Sequence, residues 1–153
     1  MYKATDIANW FLLAVDRESG DSITHLKLQK LLYYAQAWTL TLLKKPLFDE
    51  EIQAWMHGPV IPEVFTKYAE YSYNEIPAPK PEECIEIDKE YEEILEQVME
   101  TYGIFQAKYL EELTHSEAPW KTARAGLSKE AKCTNIITKE SMEEFYTKQR
   151  EGV

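Results

Sequence analysis

In the stretch Thr24-His25-Leu26-Lys27-Leu28-Gln29-Lys30-Leu31-Leu32-Tyr33-Tyr34-Ala35-Gln36-Ala37-Trp38 the apolar side chains recur at helical spacing and nearly encircle the axis. Leu28, Leu31, Leu32, Ala35, Trp38 and Leu42 make one stripe, and Leu26, Tyr33, Ala37 and Leu40 make most of a second. A helix apolar on so many sides must be covered by other elements, so it is expected at the centre of the fold. Thr24 can cap it, and Pro46 stops it because proline cannot continue a helix.

Upstream, Thr5 is expected to cap a first helix carrying Ile7, Trp10, Phe11 and Ala14 on one face, with Gly20 beyond its end. Downstream, Ile52, Ala54 and Met56 alternate as in a short strand or hairpin arm, Gly58-Pro59 reads as a turn, and Pro62 suits the first position of a third helix with Ile61, Val64, Phe65 and Tyr68. Pro77, Pro79 and Pro81 mark residues 72–86 as a surface connector. Asp88 then opens the most periodic helix, with Tyr91, Ile94, Leu95, Val98 and Tyr102 on one side and Gly103 at its end. A fifth helix is expected near residues 105–114, followed by a capped turn at residues 116–120 and a short helix ending near Gly126. Ile136 and Ile137 read as a second short strand, and Thr138 as the cap of a last helix with Met142, Phe145 and Tyr146 inward. The expectation is a mainly α protein, a compact bundle of about six helices with at most two or three short β-strands, forming one domain over residues 1–153.

At 153 residues the chain can bury ~70% of the surface it exposes unfolded, and 44% hydrophobic with 12% aromatic residues argues for a packed core. The formal net charge of −10 repels phosphate backbones, so a protein partner is expected and nucleic acid is not. Between residues 82 and 100 nine carboxylates face only Lys89; this is the pattern of a solvated helix face, with Glu92, Glu93 and Glu96 as candidates for steering a basic partner. Lys121, Arg124, Lys129 and Lys132 form a small basic exception against Glu130, read as solvated surface or as an anion contact. Cys84 and Cys133 suggest no disulfide framework, the longest apolar run is far short of the ~20 residues that cross a bilayer, and the start resembles no signal peptide. A reduced, cytoplasmic chain is the expected setting.

Catalytic chemistry is hard to find. His25, His57 and His115 stand apart from one another and from the cysteines, so no metal site is expected, and the isolated glycines form no phosphate-binding loop. No cofactor is implied. His57 beside Gly58-Pro59, and His115 beside Ser116 and Glu117, are the nearest approach to a hydrolase-like constellation, but Ser116 with Glu117 is equally the start of a helix. No residue is assigned a catalytic role.

The central helix motif, then Lys45-Pro46-Leu47-Phe48, Ile52-Gln53-Ala54-Trp55-Met56-His57-Gly58-Pro59-Val60 and finally His115-Ser116-Glu117-Ala118-Pro119-Trp120, taken in this order and spacing, resembles the Panacea domain over about residues 4–146. This is the phage- and prophage-associated family that includes the SocA-type antitoxin. The resemblance implies a toxin–antitoxin role in which the chain contacts a cognate toxin, and the SocA-type member further implies an adaptor that hands its toxin to a protease, so a protease or chaperone joins the expected partners. Many members carry an appended segment, and none is evident in this sequence.

Within the motif, Leu28, Leu31, Leu32 and Trp38 read as core. The polar residues of the same helix must be hydrogen-bonded or line a cleft. Lys30 has two readings, a packed stem with its amine paired to a carboxylate, or one wall of a cleft shared with Tyr34 and Trp55. The candidate partner-binding residues are Lys30, Tyr34, Gln36, Trp55, His57, Gly58 and Pro59, supplemented by Glu92, Glu93 and Glu96. The alternatives are a phage-encoded regulator that binds a host protein or DNA, and a hydrolase-like enzyme using His57 or His115.

Overall fold

Fourteen of the nineteen residues of the helix His25–Leu43 are buried, and the rest of the chain is wrapped around it. The computed structural model describes residues 1–152. Among them the order is α1 (Ala4–Ala14), α2 (His25–Leu43), β1 (Ile52–Trp55), β2 (Gly58–Val60), α3 (Pro62–Tyr68), α4 (Lys89–Tyr102), α5 (Ala107–Ser116), α6 (Ala118–Ala123), β3 (Ile136–Ile137) and α7 (Lys139–Arg150). The mainly α class with few short strands is as expected, with seven helices in place of about six. No helix among the described residues is long and apolar enough to cross a membrane.

α2 packs against α1, α3, α4, α5, α7 and β2, and both of its apolar stripes enter the core. Its buried polar side chains are hydrogen-bonded, some within the helix and others to distant segments. Thr39 and Thr41 donate back to the carbonyls of Ala35 and Ala37 at 2.7 and 2.9 Å. Gln36 donates to the Phe48 carbonyl and accepts from the Leu47 and Phe48 amides, so one side chain holds the returning chain against the helix. Gln29 does the same for Ile61, accepting from its amide at 2.8 Å.

The three strands form an antiparallel sheet in the order β2-β1-β3, with Trp55 opposite Gly58 and Ile52 opposite Ile137. The turn of the hairpin therefore falls at Met56 and His57, and Gly58-Pro59, expected in the turn, lies in β2. Gly58 has φ +108, and a Cβ there would lie 2.5 Å from Lys30 Cε, so close helix–strand approach requires the glycine.

Several boundaries differ from expectation for identifiable reasons. α1 starts at Ala4, with Lys3 at the cap position in place of Thr5, because Tyr2 is bridged to Phe48 and the Ala4 amide donates to Glu50 at 2.8 Å. α2 ends before Pro46 because Lys44 takes a left-handed φ of 60. Phe65, expected inward on α3, is instead exposed, while Val64 and Tyr68 are buried. α5 is displaced two residues toward the C-terminus of its expected span, and α6 ends at Ala123, three residues before Gly126. Thr138 caps α7 as expected, accepting from the Ser141 amide, and Met142 and Tyr146 are buried.

Candidate functional site

Beside the N-terminal end of α2 lies a cleft of about 740 Å³, mostly apolar, between the β1–β2 hairpin, α3, α5 and residues 130–134. Trp55, Met56 and Val60 come from the hairpin, Phe65 from α3, and Leu26 from α2. Alternation along β1 buries Ile52 and Ala54 and turns Trp55 outward, where its ring meets Phe65 at 5.0 Å and its Nε1 donates to Gln53 at 2.7 Å. Met56 and Phe65, which line the same cleft, are 39% and 41% exposed.

A charged group closes one end. Glu111 of α5 is nearly buried, with one carboxylate oxygen 3.2 Å from His57 Nδ1 and the other 2.8 Å from Lys108 Nζ. Burial acts to raise its pKa, but the hydrogen bond and charge of Lys108, with His57 and His115, outweigh this and hold it below the usual value. Behind it Lys30 is fully buried, its Nζ donating to the Pro59 carbonyl at 3.2 Å. Burial lowers its pKa to about 7, opposed by the Glu111 charge. The amine meets a carbonyl directly and a carboxylate only through space.

The structure separates the candidate residues into three groups. Trp55 and His57 line the cleft, and Gly58 and Pro59 lie buried behind it. Tyr34 and Gln36 do not reach it. Tyr34 is fully buried, stacked on Tyr102 at 3.9 Å, and donates to Glu117 at 2.7 Å; Tyr146 donates to the same carboxylate oxygen at 2.9 Å. Burial raises the Glu117 pKa, with the two tyrosine hydrogen bonds opposing. The acidic face of α4 is elsewhere: Lys27 reaches Gly103 at one end of α4 and Lys45 pairs with Glu90 at the other, so Glu96 sits roughly 10 Å, and Glu92 and Glu93 roughly 15 Å, along α4 from the end beside the cleft at about 1.5 Å per residue. Glu92 is also engaged, accepting from Trp10 Nε1 at 2.9 Å.

The hydrolase-like constellation does not assemble at Ser116, whose hydroxyl donates to the Leu113 carbonyl at 2.7 Å, while the His115 ring stacks on Trp120 at 3.9 Å. Arg124, counted with the surface cations in the sequence, is 1% exposed and leaves that patch. The cleft residues the sequence did not single out are Phe65, Lys108 and Glu111; the Lys108–Glu111 spacing of three on α5 was the available signal.

No curated protein and no solved structure shows significant similarity to the chain. A family profile described as "Antitoxin SocA-like, Panacea domain" matches residues 28–121, more than half of the sequence and narrower than the span of the resemblance. The match runs from α2 through the hairpin and α5 into α6, and so includes Trp55, His57, Glu111 and Trp120. Through this match the chain belongs to the SocA-like antitoxin Panacea domain family, whose general role is of the antitoxin type.

Proposed function

We propose that the chain is a protein-binding module, one domain acting in the cytoplasm, that neutralises a cognate toxin by direct contact at the cleft beside Trp55. The supporting observation is the apolar cleft itself, lined by partly buried Trp55 against Phe65 and by exposed Met56, in a chain whose family is antitoxin-like. Tryptophan in such a setting concentrates binding energy, and a mostly apolar cleft suits a segment of a protein partner inserted between its walls. Lys30, Tyr34, Gln36, Gly58 and Pro59 serve this reading by fixing α2, the hairpin and α6 relative to one another. Delivery of the bound toxin to a protease, as an adaptor, is the further step we propose for the complex.

The experiment is co-expression with the reading frame adjacent to the gene. That frame should arrest growth alone and be harmless beside the wild-type chain. Trp55→Ala, soluble and folded by circular dichroism, should lose protection through weaker binding, by about 2 kcal/mol where the side chain is a hot spot. A neighbour that is harmless alone, or full protection by Trp55→Ala, would sink the proposal.

A further inference from the structure

Two segments around the cleft are bridged by one side chain that lines neither, alongside the main-chain bond from the Ala54 amide to the Asn135 carbonyl at 2.8 Å. Arg124 follows α6, and its Nη1 donates to the Ala54 carbonyl of β1 at 2.8 Å, directly behind Trp55. Its Nη2 donates to the Ser128 carbonyl at 2.8 Å and also to that of Ala131, in the segment leading to Lys132 and Cys133, which line the cleft. Trp120 supports the arrangement: its ring lies 4.7 Å from the guanidinium carbon, and its Nε1 donates to the Trp55 carbonyl at 2.9 Å.

Arg124 forms no ion pair among the described residues. A buried guanidinium without a carboxylate is costly, and here its polar partners are three main-chain carbonyls on two separate segments. The planar fork can satisfy carbonyls in divergent directions at once, which a lysine ammonium on a flexible stem cannot do in the same geometry. Residues 125–134 otherwise have little regular structure and carry Gly126 at φ +84. They also lie beyond the span matched by the family profile.

We infer that Arg124 is a positioning residue of the cleft, holding the loop before Lys132 and Cys133 to the strand at Ala54 through the carbonyls of Ser128 and Ala131. The inference rests on the reading of the cleft as the partner surface for its functional meaning, but the positioning itself is measurable without a partner. Cys133 is the reporter: it follows the pinned loop and is 7% exposed.

The test uses the full chain carrying Cys84→Ser, so that one thiol remains, with and without Arg124→Lys. With Ellman's reagent the Cys133 thiol should react about tenfold faster in Arg124→Lys while helical circular dichroism and cooperative unfolding are retained, as expected when only local opening becomes easier. Unchanged reactivity in a folded Arg124→Lys chain overturns the inference. Where Arg124→Lys fails to fold, amide hydrogen exchange of the wild-type chain decides: protection of the Ala131 amide approaching that of α2 supports a pinned loop, and exchange at the rate of exposed loops overturns it. A faster thiol with toxin protection unchanged in the co-expression assay leaves the positioning role standing and removes the cleft as the partner surface.

Discussion

Lys30 is a residue whose chemistry and position conflict, and the conflict has a measurable signature. It is fully buried among apolar side chains of α2, with Pro59, Gly58 and Thr114 against it and Glu111, His115, His57 and Lys108 in the charged group beyond. Burial lowers its pKa from 10.5 to about 7. Between those values the unfolded chain binds the extra proton, so this group's contribution to stability rises with pH across the window, the reverse of a lysine held in a strong ion pair. Lys30→Met keeps the stem volume and removes the titration. Urea unfolding of both chains at about pH 7 and about pH 9.5 should show the wild type gaining on the variant at the higher pH. His25 and His115, both lowered chiefly by burial, titrate below that window, and Lys27, lowered for the same reason, is present in both chains and cancels. Parallel pH dependences would mean that Lys30 stays charged in the fold. The sequence placed Lys30 on a central helix and so posed the right alternatives, but the carbonyl that answers its amine comes from Pro59, and no local pattern foretells a partner twenty-nine residues away.

At the scale of elements, α2 carries the architecture because every face of it is covered. Leu31 and Leu32 are fully buried, so Leu31→Ala and Leu32→Ala should each cost about 2–5 kcal/mol, the range for deleting a buried leucine whose site collapses only partly. A loss near about 0.5 kcal/mol in urea denaturation would place the residue at a surface. This helix was legible because its apolar repeat is long, and long repeats leave few other arrangements. The same holds for α4 through its period and for α7 through its period and its Thr138 cap, whereas Ile52–Trp55 offered only a short alternation. The hairpin was less legible: Gly58-Pro59 has the composition of a turn, yet the register pairs Trp55 with Gly58 and puts the turn two residues earlier. The competing force was tertiary, the need for Gly58 to approach Lys30. The cleft was half legible for a similar reason. Trp55 and His57 announced themselves by type and motif, whereas Phe65 reads as a core position of α3 and is instead exposed in the cleft beside Trp55. The role of Arg124 was hidden among neighbouring lysines, since basic residues look alike in sequence until the fold buries one of them.

For the molecule as a whole, apolar contact and charge are in different places, and this separates two stages of binding. The formal charge is −10, and the acidic run of residues 82–100 continues along α4, where Glu96, Glu93 and Glu90 lie roughly 10 to 20 Å at about 1.5 Å per residue from the end that Lys27 holds beside the cleft. A segment seated beside Trp55 would be beyond the screening length of about 8 Å at physiological salt from most of these carboxylates, so they contribute little to holding it. They act earlier, on the rate at which a basic partner arrives, because the summed field extends past the surface before contact. Glu90, Glu93 and Glu96 are exposed and suited to the test, whereas Glu92 holds Trp10 and its loss would disturb the α1–α4 contact. Replacing the first three by glutamine should slow association with the protein encoded beside the gene and flatten its dependence on salt, while leaving dissociation unchanged. Trp55→Ala should do the converse, with faster dissociation and little change in association. The measurement is binding kinetics at low and at physiological salt on variants shown to be folded. Faster dissociation in the glutamine variant would mean that the partner also touches α4, and the interface would then have to extend along α4 instead of ending at the cleft.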